Sequence, residues 1–122
     1  MSPVDRTLEA PVLVHRINKD AQTIDRHLVQ EHGRSARTLV KEGPLRLTLM
    51  AVAPGGDIPT HSAEGPVSIQ LLEGDATFAA NGENHRLVVG DVIVFAPHVQ
   101  HAATTTEGCL LLLTVVHFDT RE

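Results

Sequence analysis

The 122 residues are enough for one domain and too few for two ordinary ones. A composition of 42% hydrophobic and 20% charged residues excludes a disordered chain. Net charge of −5, with no Trp, no Tyr and three Phe, excludes a phosphate track backed by stacking rings, so nucleic acid is not an expected partner.

The opening MSPVDRTLEA has acids and a proline where a leader would need an apolar stretch. No apolar run anywhere approaches the ~20 residues of a membrane span. A cytoplasmic protein with no membrane partner is the expectation. Residues 1–36 read as an arm and one amphipathic helix, with Ile17, Ala21, Ile24 and Leu28 recurring at intervals of three or four. Asn18 is placed to cap it and Gly33 to end it. His15, His27 and His32, on or near this helix, read as surface residues.

From residue 37 to 122 the period becomes two. Leu45, Leu47, Leu49, Ala51 and Ala53 alternate with other residues, as in a strand with one buried face. Turn signals then recur at Gly55-Gly56, Gly65-Pro66, Gly74-Asp75, Asn81-Gly82, Gly90-Asp91 and Glu107-Gly108. Between them lie the runs Val67 to Leu72, Ala76 to Ala80, His85 to Val89, Val92 to Phe95 and Leu110 to Phe118. Asn81-Gly82 predicts a tight hairpin, with His85 exposed beyond it. Many short strands at this spacing predict an all-β barrel or sandwich. Val92 to Phe95 and Leu110 to Leu113 are apolar on both faces, so either the helix or a second subunit must cover them; a homodimer is the economical expectation. The single cysteine, Cys109, excludes an internal disulfide, fits a reducing compartment, and reads as a small buried hydrophobe. His117 reads as a core or interface residue of the last strand.

Two runs carry the chemistry: Pro54 to Gly74 and Gly90 to His101. Each is a glycine turn leading toward a histidine, and 40 positions separate His61 from His101. The stretch from Gly56 to Gly74 is similar to the first motif of the cupin superfamily, and Gly90 to His101 is similar to the second. The resemblance covers roughly Leu45 to Phe118 and is to small single-domain members. It implies an antiparallel β-barrel, the double-stranded β-helix or jelly roll, here with a short N-terminal α-helix. It also implies that His61 and His101 meet inside that barrel.

Cupins usually hold a divalent transition metal with three His and one Glu. Carried onto this chain, the resemblance puts two of those positions on His61 and His101, and the other two on Ala63 and Val67. Neither Ala nor Val has a lone pair, and a catalytic zinc normally keeps three protein ligands. The candidate third ligands are Glu64, Gln70 and His98, with Glu64 the one carried forward. Val67 and Ile69 would form an apolar pocket wall, with His98 near the mouth, at a position where related cupins often carry glycine. Gln70 has the opposite parity and should face away. The expected function is a cupin that binds a small molecule through His61 and His101, with metal absent or weak. The alternative is a metal-dependent oxygenase or isomerase/lyase using Fe, Mn, Zn or Ni.

Overall fold

The computed structural model describes residues 11–117. Among these residues nine strands form two antiparallel sheets: β1 (Arg34–Glu42), β2 (Leu45–Val52), β3 (Asp57–His61), β4 (Val67–Gly74), β5 (Ala76–Ala80), β6 (Glu83–Leu87), β7 (Val92–Phe95), β8 (His101–Thr104) and β9 (Cys109–Val116). The larger sheet has the order β1-β2-β9-β4-β7 and the smaller β3-β8-β5-β6. Two facing antiparallel sheets with crossovers between them make the jelly-roll barrel that the turn spacing and the resemblance implied. Within the described residues no helix is long and apolar enough to cross a membrane.

Strand alternation sorts the apolar residues into two cores. Val67, Ile69 and Leu71 of β4, Phe78 of β5, Phe95 of β7 and Leu111 of β9 form the inner core between the sheets. Leu49 and Ala51 of β2, with Leu110 of β9, point the other way into a second core under the N-terminal helices. The run Leu110 to Leu113 is apolar on both faces because β9 feeds both cores in turn. Each fully buried leucine, such as Leu49, Leu71 or Leu111, contributes about 1.5–3 kcal/mol of burial free energy. An acid at any of the three would introduce a charge with no partner and break its core.

The helix expected between Ile17 and Gly33 is two helices, α1 (Ile17–Gln22) and α2 (Arg26–His32). The break has a local cause: the Asp25 carboxylate accepts the backbone N–H groups of His27 and Leu28 and starts a new helix. Arg16, not Asn18, stands at the first cap and gives no side-chain cap bond. The restart changes the phase, so Val29 is buried and Leu28 is exposed, the reverse of the single-helix expectation. Gly33 does end α2, at φ +85°.

Coverage of the larger sheet is uneven. The helices pack over β1, β2 and β9, whereas Val92 and Val94 on the outer face of β7 stay exposed, beside exposed Val88 and Val89. The expected hairpin is present: Asn81 and Gly82 both have positive φ, as a type I′ turn needs, between β5 and β6. His117 lies just past β9 and is exposed on the single chain, which corrects the core expectation; its backbone N–H donates to Pro44 O. Phe118 lies outside the described residues.

Candidate functional site

β3 is an edge strand, where Pro59 can sit without a missing ladder bond being felt. Its register with β8 shifts between Ile58 and His61 and brings His61 directly opposite His101. β8 is an inner strand, paired on its other side with β5 so that Ala80 faces His101. Direct cross-strand partners project to the same face. The rings therefore meet, with centroids 4.2 Å apart and planes at 65°. Residues 40 positions apart converge, as the resemblance implied.

The two imidazoles are held alike and exposed differently. Nδ1–H of His61 donates to Pro59 O at 2.9 Å, and Nδ1–H of His101 donates to Val99 O at 3.0 Å. A carbonyl can only accept, so each Nδ1 carries the hydrogen and each neutral ring keeps its lone pair on Nε2. His61 is exposed; His101 is 2% exposed, and its Nε2 is buried with no hydrogen-bond partner. Burial pushes the His101 pKa below the ordinary histidine value; the Val99 carbonyl opposes this, and His61 adds to it.

Sequence reading missed the third ring of the site. Phe95 stacks parallel on His101 at 4.1 Å, while its neighbour in register on β4 is Val67. Val67 and Ile69 belong to the inner core. Gly90-Asp91 before the run and Pro97 after it marked a strand, and its alternation could have put Phe95 inside. Nothing in one sequence could pair it with His101.

The other expected residues fall as follows. Ala63, at a position where the family has a ligand, packs against the inner core. Glu64 is exposed, and no group of three His, Cys, Asp or Glu able to hold a metal occurs among the described residues. Gln70 does face away, with Nε2 donating to Gly90 O. His98 is exposed at φ +69°, and its backbone N–H donates to Ala63 O. That left-handed backbone explains why glycine is at home there. Cys109 is half-buried and its thiol is pushed up to about 11, chiefly by burial, which makes it a poor nucleophile.

A metal of the kind this fold implies meets a mixed reception. Rings whose far nitrogen is pinned to a carbonyl are oriented as metal-bound histidines usually are. Yet two imidazoles are one donor short of the three protein ligands a catalytic zinc keeps, and Ala63 and Val67 supply none. The residues present do not complete a metal shell.

Among the described residues, one cavity lies away from the histidines and another borders them through Phe95 and Val99. One of about 400 Å³ sits between α2 and the ends of β2, β4 and β9, with Arg26, Val29, Val52, Glu73, Glu107 and Cys109 among its lining. The other, about 380 Å³, is bounded by Ala80, His85, Ile93, Val94, Phe95 and Val99. Neither lining includes His61 or His101.

Fold and site together define a small antiparallel jelly-roll barrel with an imidazole pair between its sheets. Residues 48–116 match the family model described as a cupin domain, more than half of the chain. The chain belongs to the cupin family. Among solved structures it is similar to a conserved protein of unknown function from Streptococcus pyogenes, at 26% identity over 98% of both chains and a TM-score of 0.68. A cupin-2 domain containing protein from Shewanella frigidimarina aligns at 18% identity, 85% of this chain, 95% of that one and a TM-score of 0.70. A salicylate 1,2-dioxygenase from Pseudaminobacter salicylatoxidans aligns at 19% identity and a TM-score of 0.78, over 92% of this chain and 37% of the dioxygenase. A search of curated proteins returned no match.

Proposed function

We propose that this cupin binds a small molecule in its barrel through His61 and His101, with no tightly held metal. The observation that supports it most is the buried, unpartnered Nε2 of His101, whose ring lies against Phe95 of the inner core on one side and meets His61. A few placed polar atoms on apolar walls is the usual make-up of a ligand site. Thermal-shift screening of purified protein against a small-molecule library tests the reading. A ligand whose stabilisation is lost in both His61→Ala and His101→Ala is expected. Stabilisation that survives both substitutions would refute it.

A second reading rests on the Nδ1–carbonyl ties, which orient both rings as ligands. In it the protein is a metal-dependent oxygenase or isomerase/lyase whose missing donors come from Glu64, water or the substrate. Elemental analysis of protein purified without chelator separates the two. A transition metal near one equivalent per chain, lost in His101→Ala, would favour the second reading over the first.

The proposal extends to assembly. Val88, Val89, Val92 and Val94 form an apolar patch at the free edge of the larger sheet, beyond the reach of α1 and α2. Sheet edges without charge or proline invite pairing with another chain, and β7 (Val92-Ile93-Val94-Phe95) contains neither. A second copy meeting β7 about a twofold axis would cover the patch.

A further inference from the structure

His101 makes an unmet demand that says something about what the site takes. Its Nδ1–H is committed to Val99 O, so the neutral ring offers a lone pair, not a proton, at the buried Nε2. His61 is tied in the same way to Pro59 O and also offers a lone pair. Among the described residues no donor bonds that nitrogen; Phe95 lies against the ring, and Val67 is the register partner of Phe95 on β4. A buried acceptor without a donor is uncommon in folded proteins and costs stability until something supplies the hydrogen.

Access follows from the two rings that close on His101. Phe95 is 5% exposed and built into the inner core, so it cannot leave without opening the barrel. His61 is exposed, and its ring is tied by a single hydrogen bond to an edge-strand carbonyl that water could replace. His61 is the ring that can step aside.

Resting on the ligand-binding reading above, we propose that the site selects a neutral molecule with an O–H or N–H donor on an apolar body. The donor reaches His101 Nε2 in the space His61 vacates. Carboxylates and other anions are rejected, because they bring acceptors to an acceptor and lose their hydration against an apolar wall.

The test uses chelator-treated, ¹⁵N-labelled protein and three probes of similar size: phenol, anisole and benzoate. Imidazole ¹⁵N shifts report contact, and titration reports Kd. Phenol should move His101 Nε2 and bind roughly tenfold or more tighter than anisole, which has the same body without the donor. Benzoate should move neither ring. His101→Phe, which removes the acceptor nitrogen, should erase the preference for phenol over anisole. Benzoate binding more tightly than phenol would overturn the proposal, as would no shift of His101 by about 10 mM phenol, a bound on even weak affinity. Equal binding of phenol and anisole that moves both rings removes the donor selection and leaves the pair as a ligand site. Binding that moves neither ring refutes the ligand-binding reading itself.

Discussion

The two ends of the barrel treat their polar groups in opposite ways. At one end, where β4 turns into β5 and the chain enters β9, the polar groups are laced together. The Asp75 carboxylate accepts from Thr105 Oγ1 and from the backbone N–H groups of Thr106 and Glu107, and Thr105 Oγ1 accepts from Gly108 N. Gly74 and Gly108 press together so closely that a Cβ on Gly74 would lie 1.9 Å from Gly108 O. At the other end His101 is buried, yet its Nε2 has no hydrogen-bond partner. A fully satisfied end holds a fold together; an end with a buried polar atom unsatisfied is where a protein keeps room for something else.

Substitutions can break this contrast, starting with the largest expected effect. Gly74→Ala places a methyl group into a backbone carbonyl at φ +82°, so neither rotation nor side-chain repacking relieves it. A loss of about 3 kcal/mol or more is expected in denaturant unfolding. Wild-type stability in that variant would remove the laced end from the argument.

Asp75→Ala should come next, a smaller loss that grows as acid is withdrawn. The N–H of Glu107, then that of Thr106, hold the Asp75 pKa below its ordinary value. A carboxylate lowered by folding contributes stability above its unfolded pKa, near 4, and loses it as pH falls through the folded value. The variant should therefore differ most from wild type at neutral pH and converge with it in strong acid. A constant gap at all pH values would contradict this.

At the histidine end the expected outcome is different. His101→Phe removes the orphaned nitrogen along with the bond to Val99 O, so stability at pH 8 should stay within about 1 kcal/mol of wild type while ligand binding disappears. His101 also has a lowered pKa, first through burial. A histidine lowered by folding leaves full stability above its unfolded value near 6.5 and loses it as pH falls further, because the unfolded chain binds the proton better. Wild type should lose stability from about pH 6.5 downward, and His101→Phe should flatten that slope. An unchanged slope would show that other groups set it.

The smallest effect on the fold should come from Val92→Lys with Val94→Glu. Both side chains are exposed, so unfolding should shift by no more than about 0.5 kcal/mol per site. Light scattering should nevertheless show a change from dimer to monomer. A wild-type protein already monomeric at high concentration would end the assembly proposal.

Much of this fold can be read from period and punctuation. Alternation from Val67 to Leu71, and the pair Asn81-Gly82, give β4 and the β5–β6 hairpin because each depends on local rules that tertiary packing did not override. The helix break was not readable in the same way. The apolar spacing through Ile24 and Leu28 continued across Asp25, and only the capping bonds to His27 and Leu28 decide where a new helix begins. For the site, the resemblance supplied His61 and His101, and parity turned Gln70 outward. The Nδ1 ties, the Phe95 stack and the orphaned Nε2 depend on ring positions set by the register of β3 on β8, which no pattern of residue types encodes.

The irregularity in β1 has a consequence for how relatives should be compared. Pairing with β2 jumps from Thr38 opposite Thr48 to Val40 opposite Leu47, leaving Leu39 as an extra residue. Both Leu39 and Val40 are buried in the core beneath the helices, two neighbours on one side where a regular strand would show one. A homologue one residue shorter in this strand could therefore drop Leu39 and keep every other facing unchanged, whereas a gap placed a few positions away would turn part of the strand inside out.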